Sequence, residues 1–203
     1  MDGYTYRRLW TRFHELVSTN ADELNQLDAA IGDADHGTNM TRGLTKVIAT
    51  FEAAPPVSVR TDAKTVGMTL LSTVGGASGA LWGSGMLKFS AALPDSDRMT
   101  FDELAAGLGA FVDSVSQRGK AVPGDKTMID VFVPALAELV RTRDPEQAAE
   151  VAKASSDATK DLVARRGRAA YLGERSRGHI DPGSVSAAMW FQALAETLRD
   201  EQS

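Results

Sequence analysis

Cysteine is absent from the 203 residues, which excludes disulfides and thiolate metal sites and is compatible with a reducing, cytosolic home. Histidine is scarce: His14, His36 and His179 lie far apart in sequence and do not make a histidine-rich metal centre. Net positive charge is missing as well. At a formal charge of -5 the chain is not a general nucleic-acid binder. Nowhere do about eighteen apolar residues run together, and the opening MDGYTYRRLW lacks the apolar stretch of an export signal. These absences predict a soluble, unexported, cytoplasmic protein with neither nucleic acid nor membrane as partner.

Strand signals are nearly absent too. Val57-Ser58-Val59 is the only scrap of β-branched alternation, whereas helical periodicity recurs along the whole chain. Tyr6, Leu9, Trp10, Phe13, Leu16 and Val17 trace one helix face, and Asn20 to Asp22 can end that helix and start a short second one. Met40, Leu44, Val47, Ile48 and Phe51 trace another face, followed by a linker from Ala53 to Thr61 that contains Pro55-Pro56. A helix over 62–74 places Val66, Leu70, Leu71 and Val74 on one side, and Ser78 to Leu93 reads as helical despite Gly79, Gly83 and Gly85. Thr100 and Glu103 form a capping box ahead of a helix that Gly119 ends. Asp125 can cap the next, where Pro134 marks a bend or a late start. Asp144-Pro145 and Asp181-Pro182 each pair an N-cap with proline at the first helical position, opening helices over 146–165 and 183–199. With 43% hydrophobic residues the chain can bury one sizeable core, so residues 1–203 are expected to be a single all-α domain of about eight antiparallel helices.

One stretch stands out chemically. LDAAIGDADHGTNM, residues 27–40, crowds Asp28, Asp33, Asp35, His36 and Asn39 into a glycine-containing turn between two helices. If the turn is compact, carboxylates roughly 5 Å apart repel by about 3 kcal/mol per pair at an effective dielectric near 20. No lysine or arginine lies between Arg12 and Arg42 to relieve this, so a bound cation is the simplest supplier of positive charge. Oxygen donors without sulfur favour Mg²⁺, Ca²⁺ or Mn²⁺. An EF-hand fails, because Gly37 and Leu44 stand at its fifth and twelfth positions. The competing reading is a helix-to-helix turn that uses Asp, Gly and Asn as caps, although one or two such residues would suffice for that.

Other features are individually ambiguous. The glycine-rich break from Gly75 to Gly85 can cradle phosphate on backbone N–H groups, or can let helices pack closely; it is neither a Walker loop nor a dinucleotide fingerprint. Gly124-Asp125-Lys126-Thr127-Met128 is a helix cap or the lining of a base pocket. Arg165, Arg166, Arg168, Arg175 and Arg177 form a solvated loop or a phosphate- or partner-binding one. His14 reads as structural, while His36 and His179 can serve either as ligands or in turns. Trp10, Trp82 and Trp190 fall on helical faces and read as core, with Trp82 set apart by its flanking glycines.

Four segments taken together, LDAAIGDADHGTNM, GGASGALWGSGM, GDKTMIDV and GRAAYLGERSRGHIDPGS, closely resemble the nucleotide-binding L subunit of the dihydroxyacetone kinases, in the same order and over nearly the whole chain. The resemblance implies a closed barrel of antiparallel helices that binds ADP or ATP at one end through two Mg²⁺ ions. It puts the metal-binding aspartates on Asp28, Asp33 and Asp35, which with Arg168 form the catalytic set. It puts nucleotide contacts on His36, Gly37, Thr38 and Asn39, on Ala77 and Ser78, on Met128 and Arg168, and on Asp181, Pro182 and Gly183, with Gly119 near the base. The sugar is then held by a separate K subunit. In one branch of the family a phosphohistidine-carrying M subunit of the phosphotransferase system recharges bound ADP, and in the other ATP exchanges freely. Such chemistry needs positioning and charge neutralisation rather than a base from this chain.

The sequence departs from the family at Ala34, usually glycine, at Ala80 and Trp82, usually proline and tyrosine, and at Arg177. These departures leave open dihydroxyacetone or a related ketose such as erythrulose. Two alternatives to a short-ketose kinase subunit are an L-type domain with another acceptor, as in fatty-acid kinases, and a non-catalytic regulatory module. Fatty-acid kinases carry further domains, and an end at Ser203 argues against that reading.

Overall fold

The computed structural model describes residues 1–201, so the last two residues of the expected 1–203 domain lie outside the described residues. The described residues form α1 (Gly3–Thr19), α2 (Ala21–Ile31), α3 (His36–Glu52), α4 (Val59–Thr73), α5 (Gly76–Ala92), α6 (Phe101–Gly119), α7 (Ile129–Thr142), α8 (Pro145–Ala158) and α9 (Pro182–Asp200). Two 3₁₀ segments, Thr159–Asp161 and Arg168–Ser176, fill the connection between α8 and α9, and no β-strand occurs among the described residues. No helix among them is long and apolar enough to cross a membrane.

Side-by-side packing runs from α1 to α3, then through α4, α5, α6, α7 and α8 to α9, and α9 returns to α1. Eight helices therefore close a ring, and α2 packs beside it against α3 and α9. This is the closed barrel that the family resemblance implies, built from the antiparallel helices that periodicity and short turns predict. Short turns reverse the chain at most steps, α2 and the 159–181 connection do so at the other two, and neighbours run antiparallel. Alternate helices must then start at the same end, and α3, α5, α7 and α9 do.

The barrel is filled, not hollow. Trp82 sits at its centre with ring centroids 5.4 Å from Phe13, 5.4 Å from Phe111 and 5.6 Å from Phe132. Trp10 and Trp190 are buried as well, so all three tryptophans are core residues. Gly79, Gly83 and Gly85 of α5 serve packing: a β-carbon at Gly79 would lie 2.1 Å from the Val74 carbonyl oxygen, and one at Gly85 would lie 2.5 Å from the Phe111 ring. Close helix approach offsets the propensity cost of about 1 kcal/mol per glycine. The 53–58 linker is tied down by Arg7, whose guanidinium makes a bidentate pair with buried Asp62 and donates to the Phe51 and Ala54 carbonyls.

Several local expectations change. The linker ends earlier than Thr61, because Ser58 caps α4 by accepting from Thr61 N. Leu71 is 43% exposed, since Val66, Leu70 and Val74 complete the inward stripe without it. Asp125 does not cap α7; its carboxylate accepts from Val122 N, and Asp130 takes the N–H groups of Gly124 and Thr127 instead. Pro134 lies inside α7 rather than at a late start. The helix expected over 146–165 stops at Ala158, where carbonyls beyond it turn toward the Lys126 ammonium. The capping box at Thr100 and Glu103 and the proline caps at Asp144 and Asp181 form as their residue types dictate.

Candidate functional site

At the end where α3, α5, α7 and α9 begin, a cavity of about 390 Å³ opens, and His36, Gly76, Ile129 and Pro182, the first residue of each helix, all line it. Helix N-termini present unpaired N–H groups and partial positive charge, so four of them facing one cavity favour an anion there. The ends of α2 and α6 reach the same cavity through Ile31 and Gly119.

Asp28, Asp33 and Asp35 meet on one wall, where one carboxylate oxygen from each lies within 4.8 Å of the others. Asp28 is the most enclosed of them. Its Oδ2 accepts from Asp35 N at 2.9 Å and from His36 N at 3.2 Å, which folds the turn back over the last turn of α2. Gly32 makes this possible, because a β-carbon there would lie 2.0 Å from Asp28 Oδ1. Asp33 faces outward and pairs with Arg168 at 3.0 Å, so part of the missing counter-charge comes from far along the chain. The donors are carboxylate oxygens alone, a set that suits Mg²⁺ and leaves room in an octahedral shell for phosphate oxygens.

Between Asp33 and Asp35, Ala34 adopts φ +65°. This left-handed backbone costs an L-residue about 1–2 kcal/mol, of which glycine's greater unfolded-state entropy would return part. Ala34→Gly is therefore expected to raise unfolding free energy by about 0.5–1 kcal/mol. Urea denaturation of the metal-free protein checks this, and an unchanged midpoint would mean that the turn relaxes in solution.

His36 is buried, and burial pulls its pKa down to about 4, so the ring is neutral at physiological pH. Its Nε2 lies 3.0 Å from Ser186 Oγ and its Nδ1 lies 3.2 Å from Ser78 Oγ. One imidazole thus joins the N-terminal ends of α3, α5 and α9. Asn39 accepts from Arg42 Nη2 at 2.7 Å through Oδ1, which leaves its Nδ2 donor as the free end. Gly75 and Gly76 lie alongside, and α5 begins without any side-chain cap. Farther in, Leu81, Val115, Ala121 and Met128 make an apolar wall suited to a flat ring. Burial pushes the Asp181 carboxyl up to about 7 while it caps α9 by accepting from Ser184 N.

Of the residues singled out from sequence, Asp28, Asp33, Asp35, His36, Asn39, Ala77, Ser78, Gly119, Met128, Arg168, Asp181, Pro182 and Gly183 all line this cavity. Gly37 and Thr38 do not. A β-carbon at Gly37 would lie 2.1 Å from the Ala21 carbonyl oxygen, and Thr38 exchanges hydrogen bonds with Asn25, so both hold α3 against α2. His179 is exposed on the adjoining loop, and the His14 ring bonds Thr45 Oγ1 away from the cavity. Arg42, Arg118 and Lys126 were not singled out as site residues, and Arg166 was read only as part of an arginine-rich loop that is solvated or binds phosphate or a partner. Arg118, Lys126 and Arg166 line the cavity and Arg42 buttresses it; of the four, Lys126, by its place in GDKTM, and Arg166, by that loop, carried a local signal.

The DAK2 domain model matches residues 30–196, more than half of the chain. The chain belongs to the DAK2 domain family. Among relatives, the ADP-binding subunit DhaL of the PEP-dependent dihydroxyacetone kinase 1 of Listeria innocua is 42% identical, over 95% of this chain and 98% of its own length. The corresponding subunit from Escherichia coli is also 42% identical, over 94% of each chain. The L-erythrulose 1-kinase of Mycolicibacterium smegmatis is 36% identical over 92% of this chain, which spans only 34% of that protein. The structure of the dihydroxyacetone kinase of C. freundii in complex with AMP-PNP and Mg²⁺ superposes with a TM-score of 0.76 at 26% identity. That match covers 97% of this DAK2 chain and 34% of the kinase chain.

Proposed function

We propose that this DAK2 chain is the ADP-binding, phosphoryl-transferring subunit of a PEP-dependent dihydroxyacetone kinase, acting as one nucleotide-binding domain over residues 1–203 in the cytoplasm. The observation that carries this reading is the meeting, in one cavity, of three carboxylates, four helix N-termini and an apolar wall. Near full-length relatives named as ADP-binding subunits support it. They also favour dihydroxyacetone over erythrulose, because they are 42% identical to this chain and the erythrulose kinase is 36% identical. A purely regulatory role has no feature of this kind behind it.

Two Mg²⁺ ions, when bound, neutralise phosphate charge as the phosphoryl group transfers. Asp28, Asp33 and Asp35 would hold them. The first turns of α3 and α5, with Asn39, Ala77 and Ser78, bind and orient the phosphates of ADP or ATP. Met128 and Gly119 line the base end, and Asp181 to Gly183 close the remaining side. Arg168, paired with Asp33 at the mouth of the cavity, would bind the phosphates while Asp33 helps to hold the metal. The ketose comes on a separate K subunit, and a phosphohistidine-carrying M subunit recharges ADP in place.

Native mass spectrometry of the purified chain, before and after dialysis against a chelator, tests this. ADP with two Mg²⁺ is expected to survive purification. A chain that neither retains ADP nor takes up added Mg-ATP would overturn the assignment. Uptake of ATP without any retained ADP would instead favour the freely exchanging branch.

A further inference from the structure

A lysine within Gly-Asp-Lys-Thr beside this cavity invites a role as a phosphate ligand. Its hydrogen bonds exclude one. Lys126 is 1% exposed, and its Nζ donates to Thr159 O at 2.7 Å, to Leu162 O at 3.2 Å and to His179 O. An ammonium has three N–H donors, and all three are used.

We propose that Lys126 is a positioning residue that fixes the Asp181–Gly183 wall of the cavity against the Met128 wall, an inference that rests on the nucleotide reading above. The three carbonyls come from two segments. Thr159 and Leu162 lie where α8 has ended, and carbonyls left over at a helix C-terminus are natural partners for a cation. His179 lies two residues before Asp181, and Lys126 lies two residues before Met128, so one side chain spans both walls. Neighbouring bonds follow the same path: Gly178 N donates to Lys160 O at 2.8 Å, Asp181 N to Thr159 Oγ1 at 3.1 Å, and Arg165 N to Asp125 O at 3.1 Å. The backbone of Lys126 itself is left-handed, at φ +63°, a conformation disfavoured for a residue with a β-carbon. The anchored side chain holds it there. Without the ammonium, three inward-facing carbonyls would have no shared donor, and the segment leading into α9 would keep only the Gly178 and Asp181 bonds to the chain beyond α8.

The test measures amide hydrogen exchange without nucleotide and dissociation constants for ADP and AMP with Mg²⁺, in the wild type and in Lys126→Met. The expected result is near wild-type helical circular dichroism, exchange at Leu162, Gly178 and Asp181 faster by about tenfold or more, and ADP and AMP both weakened by about tenfold. Should Lys126→Met fail to fold, Lys126→Arg, which keeps the charge on a differently shaped head, is expected to show the same two changes at about threefold. Unchanged exchange would overturn the proposal. So would a loss of ADP affinity with AMP affinity intact, the mark of a direct contact to the second phosphate. If the wild type itself bound no nucleotide, the proposed function would fall, while the exchange measurement would still decide what Lys126 holds.

Discussion

Asp33→Asn is expected to abolish retention of Mg-ADP while leaving the helical circular dichroism unchanged. The Asp33 side chain is 38% exposed and pairs with Arg168 rather than with the core, so its loss costs little stability. Its charge is another matter. A carboxylate about 4 Å from a doubly charged ion gains roughly 8 kcal/mol at an effective dielectric near 20, before desolvation is subtracted. If only about a third of that survives, affinity falls about a hundredfold. Isothermal titration with Mg-ADP reads this directly, and Asp35→Asn should behave in the same way. Asp28→Asn should do more, because Asp28 also accepts the N–H groups of Asp35 and His36 and so shapes the turn. Wild-type affinity in Asp33→Asn would refute the metal assignment, since the remaining two carboxylates would then suffice.

Trp82→Ala should have the largest effect on stability. Trp82 is 1% exposed and packs among Phe13, Phe111 and Phe132, residues contributed by three different helices of the ring. Removing the indole leaves a cavity at the barrel centre that rigid helices cannot close. Truncations of this kind cost about 3–5 kcal/mol. In a domain of this size that corresponds to a fall in melting temperature on the order of 10 °C. A denaturant titration showing a loss below about 1 kcal/mol would mean that the barrel collapses around the gap. Trp82 also forms part of the cavity floor, so the same variant should bind nucleotide less tightly even where it remains folded.

Both predictions concern residues that were visible in the sequence, though with different clarity. The aspartates could be read as a charge cluster without a local counter-ion, and that reading needed no fold. The supplier of part of the counter-charge, Arg168, could not be read in this way. It lies in a 3₁₀ segment far along the chain, and only closure of the ring brings it to 3.0 Å from Asp33. Trp82 posed the opposite difficulty. Its flanking glycines allowed either a ligand platform or a packing site, and the choice turned on Gly83 and Gly85 meeting Leu71 and Phe111, contacts between different helices.

Helix boundaries divide along the same line. Caps written into adjacent residues, such as Thr100 with Glu103 or Asp181 with Pro182, form where they are written, because their hydrogen bonds close within one turn. The end of α8 was not legible. Nothing between Ala158 and Arg165 breaks a helix, and the chain leaves it because Lys126 takes the carbonyls of Thr159 and Leu162. Gly37 and Thr38 show the converse. They sit inside the acidic motif, yet the direction of α3 turns them toward α2 and away from the cavity.

By itself, then, the sequence determined the helical class, most helix starts, the hydrophobic faces and the carboxylate cluster, because each depends on residues within a few positions of one another. The tertiary structure alone decided that four helix N-termini share one cavity, that His36 joins three of them, that Arg168 faces Asp33 and that the Lys126 ammonium is fully occupied. Those are contacts between residues tens to more than a hundred positions apart, and no local periodicity encodes which helix ends meet when a ring of antiparallel helices closes.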